Sequence, residues 1–331
     1  MECVRQDEGD GGRSDACDAS VRTRGTAANY GVRCAEQNHV AAANCFLIRQ
    51  IMVPNDCISG YGIICGMGNY QNNRHHNKGP RELVTGGEWL YGRNPVIEAL
   101  RAGRRTFTEI ILPPGSKDES DEIASLRLTA QKRGIMIRTA DRDRLDKLVK
   151  GGHHQGVAIK TTGYPYVDFS EILQDVEDDE SASVLVLDHL EDPQNVGSIL
   201  RTACAAGFTG VIIPEDRGAG VTPAAVRASA GAAEHLKVAK VVNLPRAMKE
   251  LQKLNLWFTG LDWGEDARRY TDIDFKGRAG LVIGAEGNGI SRLVRETCDF
   301  IAELPMPGGF ESLNAGVAAG IAMYEMLRQR S

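Results

Sequence analysis

From Ser183 onward, short apolar runs alternate with stretches of helical spacing. Residues 184–187, 211–213, 256–259, 281–283 and 300–304 read as strands. They are brief and apolar on successive positions, as strands covered on both faces of a sheet must be. Helices are predicted to start near Asn195, Pro223, Pro245, Ser291 and Ser312, the last continuing through an Ala- and Gly-dense stretch to Arg330. Strand and helix in alternation predict an α/β fold with a parallel sheet over residues 183–331.

A second, smaller pattern precedes it. Residues 96–100 form an amphipathic helix, 109–112 a strand, 121–133 a helix stopped by Gly134, and 135–137 another strand, which together predict a small α/β domain over 86–162. Residues 163–182, with Pro165 and the acidic run 177–180, read as a linker. Residues 1–85 are rich in Gly, Asn, Ala and Arg, hold no sustained period and end in the polar run 69–78, which predicts a low-order extension. Met67 stands directly before that run, so a native start at Met67 is a further expectation.

Composition changes this picture little: of 331 residues, 42% are apolar and 25% charged, the profile of an ordinary globular chain. Charge changes it more. Residues 86–165 carry 14 basic and 10 acidic side chains, whereas 166–331 carry 16 and 25, so an RNA strand would land on the middle segment. The best candidate for a membrane span, 41–48, stops at Arg49-Gln50 and falls short of the about 18–20 residues of a membrane helix. Arg5, Asp7, Glu8 and Asp10 stand where the apolar core of a secretion signal would begin, so the expected location is cytoplasmic. Six of the eight cysteines lie before residue 66, and Cys204 and Cys298 stand alone, a distribution suited to reduced thiols. Neither Cys57 with Cys65 nor His75-His76 has the paired spacing of a zinc site, and no metal is expected.

Three blocks carry candidate chemistry. In the first, residues 187–203, Val196, Ile199, Leu200 and Ala203 make a buried helical face, Asn195 is placed to cap the helix, and Arg201 breaks the apolar pattern. The second, 281–290, is a strand running into Gly284-Ala285-Glu286-Gly287-Asn288-Gly289, where main chain can approach a ligand closely. A dinucleotide site is excluded by position, because these glycines do not follow the first strand of an α/β unit. The third, 304–314, ends in Ser312-Leu313-Asn314 before a helix whose small residues allow tight packing, Ser312 being the natural cap.

In this order, and with Arg227-Ala228-Ser229-Ala230-Gly231-Ala232 and His154-Gln155-Gly156, the blocks resemble the SpoU branch of the SPOUT RNA 2'-O-methyltransferases from about Trp89 to Arg330. The resemblance implies a trefoil knot in the C-terminal domain, an exception to the rule against threaded chains, and a ribosomal-protein-L30-like RNA-binding domain ahead of it. It implies S-adenosyl-L-methionine held at Thr259, Gly260, Leu261, Gly284, Leu304, Met306 and Leu313, and a catalytic set of Asn195, Arg201, Glu286, Ser312 and Asn314. It further implies a homodimer acting on a guanosine ribose of 23S rRNA, with tRNA the alternative substrate and a catalytically idle RNA-binding assembly protein the rival from another class. A guanidinium, with pKa above about 12, is a poor base at neutral pH, so Arg201 is expected to stabilise charge. Arg93, Arg101, Arg104 and Arg105 are the candidates for phosphate contact. The chain departs from the commonest family pattern at Leu304 and at Ala315-Gly316, changes that leave the polar set intact.

Overall fold

The computed structural model describes residues 87–115, 119–150, 152–309 and 312–331. The expectations for residues 1–85, the start at Met67 and the first six cysteines lie outside these. Among the described residues no helix is long and apolar enough to cross a membrane.

The first sheet is built from β1 (Glu88–Tyr91), α1 (Arg93–Ala102), β2 (Phe107–Leu112), α2 (Asp121–Lys132), β3 (Met136–Thr139), α3 (Arg142–Leu148) and β4 (Ala158–Thr161). Its strand order is β1-β4-β2-β3, with β2 and β3 parallel and the other pairs antiparallel. Gly103, at φ 63°, ends α1 in the left-handed conformation and donates its N–H to the Ala99 carbonyl, the closure that a Cβ disfavours. Helix α3, not expected from the sequence, is short and charged, and is capped by Asp141 accepting from the Arg144 N–H.

The segment expected as a linker carries α4 (Phe169–Asp178). Ile172 and Val176, four residues apart and wholly buried, pin this helix to the second sheet, and Val167 N–H donates to the Val238 carbonyl at 3.0 Å.

The second sheet follows as β5 (Ser183–Asp188), α5 (Pro193–Ala205), β6 (Gly210–Pro214), α6 (Pro223–Ala228), β7 (Val238–Val241), α7 (Leu244–Gln252), β8 (Trp257–Leu261), β9 (Arg268–Arg269), β10 (Ala279–Gly284), α8 (Arg292–Arg295), β11 (Phe300–Glu303) and α9 (Ala315–Arg330). All its pairings are parallel, in the order β7-β6-β5-β10-β8-β11-β9. Strands β7 and β9 escaped the sequence reading because Lys240 interrupts one and the other is two arginines. Alternation along the strands divides the apolar residues between two cores. Leu185, Leu187, Val211, Ile213, Leu281 and Ile283 face α5, α6 and α9. Val184, Val186, Ile212 and Val282 face α4, α7 and α8. The first of these cores continues through Leu90, Val96, Leu100 and Ile159 of the smaller sheet, so the two sheets share one apolar interior.

Two arginines lock this junction. The Arg105 side chain is fully buried and grips Glu234, itself wholly buried, through Nη2 to Oε1 at 2.7 Å and Nε to Oε2 at 2.9 Å. It also pairs with Glu88 and donates to the Thr162 carbonyl at 3.0 Å. Burial alone pulls the Arg105 pKa down, but the bonds and charges of Glu234 and Glu88 outweigh it and hold the guanidinium above its ordinary value. Arg104 donates to the carbonyls of Glu234 at 3.2 Å, Pro165 at 2.9 Å and Leu236. Arg105, fully buried with its donors on the protein's own carboxylates and a carbonyl, is therefore not a phosphate contact, and the half-buried Arg104 spends three donor contacts on main-chain carbonyls.

Removing one partner of a buried pair leaves the other charge desolvated, which costs roughly 3–5 kcal/mol. Arg105→Ala is expected to lower the unfolding free energy by about that amount in urea titration, whereas Arg101→Ala, on an exposed pair, changes it by less than about 1 kcal/mol. Equal effects of the two substitutions would contradict this account of the junction.

Candidate functional site

Pairing in the second sheet sets Gly284 opposite Asp188, Ile283 opposite Leu261 and Ala302 opposite Leu261. The carboxyl ends of β5, β10, β8 and β11 therefore lie side by side. The chain builds outward from β5 through β6 and β7, then crosses to the other side, so the β5/β10 boundary is the switch point where open α/β sheets bind ligands.

Beyond β10 the glycine turn closes on itself. Ala285 and Gly289 exchange main-chain hydrogen bonds of 3.0 and 2.9 Å, and Gly287 and Gly289 take φ of 80° and 63°. A Cβ on Gly284 would stand 2.2 Å from the carbonyl carbon and oxygen of Gly289, so only glycine fits there. Asp188, 1% exposed, fixes the turn's exit: its Oδ2 accepts from the Ser291 N–H at 2.6 Å, while Oδ1 pairs with His189 Nδ1. Sequence reasoning passed over Asp188, although a carboxylate closing an otherwise apolar strand is a legible signal.

Three side chains from distant parts of the chain meet over this turn. Asn195 Nδ2 donates to Glu286 Oε1 at 2.5 Å, and Asn314 Nδ2 donates to Asn195 Oδ1 at 2.9 Å and to Glu286 Oε1 at 3.3 Å. Asn195 is free for this because the cap of α5 is Asp192, which accepts from the Gln194 and Asn195 N–H groups. The cap of α9 is Asn314 rather than Ser312: its Oδ1 accepts from Gly316 at 3.0 Å and Val317 at 3.2 Å. Glu286 Oε2 has no hydrogen-bond partner among the described residues, so the cluster presents one open carboxylate oxygen.

The other two catalytic candidates do not join the cluster. Ser312 is exposed and makes no side-chain hydrogen bond among the described residues. Arg201 is exposed on α5, six residues beyond Asn195 or roughly 9 Å along the helix axis, and pairs with no described acid. Of the positions expected to hold a cofactor, Leu261, Gly284, Leu304 and Met306 are partly exposed around the strand ends, and Leu313 is 41% exposed just before α9. Thr259 and Gly260 lie buried inside β8, where Ile290 Cδ1 would come within 2.7 Å of a Cβ on Gly260. Cys298 packs behind Gly260, and burial pushes its thiol pKa up to about 12, which leaves it inert as a nucleophile. Arg93 and Arg101 stay at the surface, paired with Glu122 at 3.1 Å and Glu98 at 2.6 Å.

A parallel sheet with a glycine turn and an amide-braced carboxylate at its switch point defines an α/β enzyme domain, joined here to a smaller mixed-sheet domain. The profile of the SpoU rRNA Methylase family matches residues 182–324, and that for RNA 2'-O ribose methyltransferase substrate binding matches 89–167. Among curated relatives, the putative TrmH family tRNA/rRNA methyltransferase YacO of Bacillus subtilis is 40% identical over 246 residues, 74% of this chain and 96% of that protein. The 23S rRNA (guanosine-2'-O-)-methyltransferase RlmB of Xylella fastidiosa is 38% identical over 74% of this chain and 97% of its own length. The crystal structure of the SpoU methyltransferase AviRb from Streptomyces viridochromogenes superposes with a TM-score of 0.62 at 27% identity, over 74% of this chain and 90% of that one. The chain belongs to the SpoU rRNA methylase family.

Gly284→Ala drives a methyl into the Gly289 main chain, an overpacking worth about 1–3 kcal/mol. The expected result is a lower unfolding free energy by that amount in urea titration. A variant as stable as the parent would show that the turn opens without cost.

Proposed function

We propose that this chain transfers the methyl group of S-adenosyl-L-methionine to the ribose 2'-hydroxyl of a guanosine in 23S rRNA, in the bacterial cytoplasm where that RNA resides. The observation that carries the reading is the Asn195–Glu286–Asn314 cluster at the switch point, together with relatives such as RlmB that align over nearly their whole length. The same family of folds includes AviRb in complex with AdoMet, 26% identical at a TM-score of 0.60.

The residues at the strand ends fit such a donor. The main-chain N–H groups of Leu304, Met306 and Leu313 make no hydrogen bond among the described residues, and their side chains are apolar, which suits the edge and faces of an adenine ring. Leu261, Gly284, Leu304, Met306 and Leu313 would hold it, with Thr259 and Gly260 shaping the strand beneath. When bound, S-adenosyl-L-methionine supplies a methyl carbon that is already electrophilic. What remains for the protein is to aim the hydroxyl and assist loss of its proton. Glu286 Oε2 is the open acceptor for that hydroxyl, and Asn195 and Asn314 are positioning residues that fix the carboxylate. Arg201 contributes charge toward the forming alkoxide or a neighbouring phosphate, and Ser312 a further polar contact at the ribose.

The finer architecture follows the same reading. Helix α9 exposes Val317, Ile321, Tyr324 and Leu327, 37–53% accessible and spaced three or four residues apart, an apolar stripe that supports a homodimer. The reading extends to the trefoil knot of the SpoU resemblance in this domain, where α9 packs against α5 and Asn314 bonds to Asn195. The smaller domain acts as an L30-like RNA-binding module, with Arg93 and Arg101 among its phosphate contacts.

The test is methyl transfer from labelled donor to transcribed 23S rRNA and to tRNA, with mapping of the ribose-methylated position; transfer to neither removes the reading, and transfer to tRNA alone redirects it. Asn314→Asp separates the two jobs of that residue, since a carboxylate still caps α9 but cannot donate to Asn195 and places a like charge beside Glu286. Unfolding stability within about 0.5 kcal/mol of the parent and turnover reduced by roughly 100-fold are expected. Ile321→Asp is expected to convert the species seen in light scattering from dimer to monomer.

A further inference from the structure

A cavity of about 860 Å³ among the described residues lies not at the strand ends but in the smaller domain, where the 153–156 loop meets the start of α1 and the side of α3. None of the Asn195–Glu286–Asn314 cluster lines it. Its volume is within the ~300–1,000 Å³ of small-ligand sites.

The loop is held rigidly. His154 is 6% exposed; its Nδ1 accepts from the Gly156 N–H at 2.9 Å and its Nε2 lies 3.2 Å from Asp146 Oδ1. Those bonds place the proton on Nε2 and tie the loop to α3, so His154 is scaffold. Gln155 takes a left-handed φ of 52°, and its Oε1 accepts from the Arg93 N–H at 3.0 Å. That fixes the amide while leaving Nε2 without a partner among the described residues. Asn94 beside it is exposed, and its carboxamide is likewise unengaged among them. Arg93 Nη1 pairs with Glu122, which also lines the cleft, at 3.1 Å, while its Nε is buried without a hydrogen-bond partner; the Arg142 side chain is 85% exposed, 4.0 Å from Asp146. Pro113, Ala140 and Leu145 supply apolar wall.

Gln155, its oxygen held by Arg93, offers a fixed amide donor, Asn94 offers both a donor and an acceptor in one plane, the complement of a base edge, and guanidinium groups are the complement of a phosphate. A concave cavity of this kind admits one unstacked base but not a duplex, whose base edges are turned inward. The surrounding segment is also the one with net positive charge. We propose that this cleft captures a single unstacked nucleotide of the substrate RNA, at a distance along the strand from the methylated ribose: Asn94 and Gln155 read its base edge, and Arg93 and Arg142 hold its phosphate. The assignment rests on the RNA methylation reading and adds to it a subsite that selects single-stranded loops or bulges.

The experiment uses the full chain and three variants, Asn94→Ala, Gln155→Glu and Arg142→Gln; the second keeps the oxygen that accepts from Arg93. Binding of a fluorescent single-stranded RNA oligonucleotide is followed by anisotropy, and methyl transfer to transcribed 23S rRNA is followed in parallel. Each variant is expected to raise the RNA dissociation constant and KM roughly tenfold, the loss of one good polar contact. Turnover at saturating RNA, donor affinity by calorimetry and the melting temperature are expected to hold. Wild-type RNA affinity in all three variants overturns the proposal, as does a fall in turnover with KM held, or duplex RNA competing as well as single strand. Absence of methyl transfer by the parent chain would remove the enzymatic reading, while the anisotropy series would still decide whether the cleft binds RNA.

Discussion

The pairing of β5 with β10, which sets Asp188 opposite Gly284, is the constraint on which the site depends. Without it, Asn195 and Glu286 are 91 positions apart in sequence; with it, they are 2.5 Å apart. The register is fixed by burial on both faces. A slip of one residue would exchange the odd-numbered and even-numbered core residues of β10, moving Leu281 and Ile283 into the space shaped for Val282. The glycine at the end of β10 then lets the chain double back within 2.2 Å of where a Cβ would be, and Asp188 takes the Ser291 N–H that this reversal brings to the strand end. Packing thus supplies the precision that the polar cluster uses.

The second constraint is the junction of the two sheets. Two fully desolvated charges, Arg105 and Glu234, are tolerated because the guanidinium forks onto both carboxylate oxygens and its remaining donors find Thr162 and Glu88. Such a pair adds little stability relative to an apolar replacement, but it accepts only one geometry, which orients the smaller domain against the enzyme domain. Tyr164 reinforces that orientation: its hydroxyl lies 2.9 and 2.8 Å from the carbonyls of Ala233 and Leu236, and burial raises its pKa, keeping it a donor.

What the sequence made legible was the part governed by local pattern. Apolar runs located five of the seven strands of the second sheet within a residue or two, because burial on both faces leaves an unbroken hydrophobic signature. The order of the three blocks was legible too, and with it the family. What local pattern does not encode is which of several equivalent polar residues a fold uses. Asn195 and Ser312 both looked like helix caps, yet Asp192 and Asn314 cap those helices. Arg104 and Arg105 read as a surface charge cluster because their acid, Glu234, lies 129 positions from Arg105. Helix α4 was lost among acidic neighbours, although Ile172 and Val176 stand one helical turn apart. Arg201 and Ser312 matched the family's pattern, and in the single chain neither reaches the cluster.

Asn314 shows how the fold makes one side chain serve stability and chemistry together. Its oxygen is spent on the N–H groups of Gly316 and Val317, so only its amide faces the cluster. Asn195, whose oxygen accepts that amide, must then present its own amide to Glu286. The orientation of both carboxamides is dictated by the cap, and through them both donors converge on Oε1 of Glu286, leaving Oε2 open. Helix α9 is therefore more than a packing element: forming its first turn sets the direction of the hydrogen bonds that aim the carboxylate. An aspartate or serine at position 314 satisfies the helix and breaks this chain of donors, which is why helix-capping preference alone, under which these residues are near equivalents, does not specify the asparagine found here.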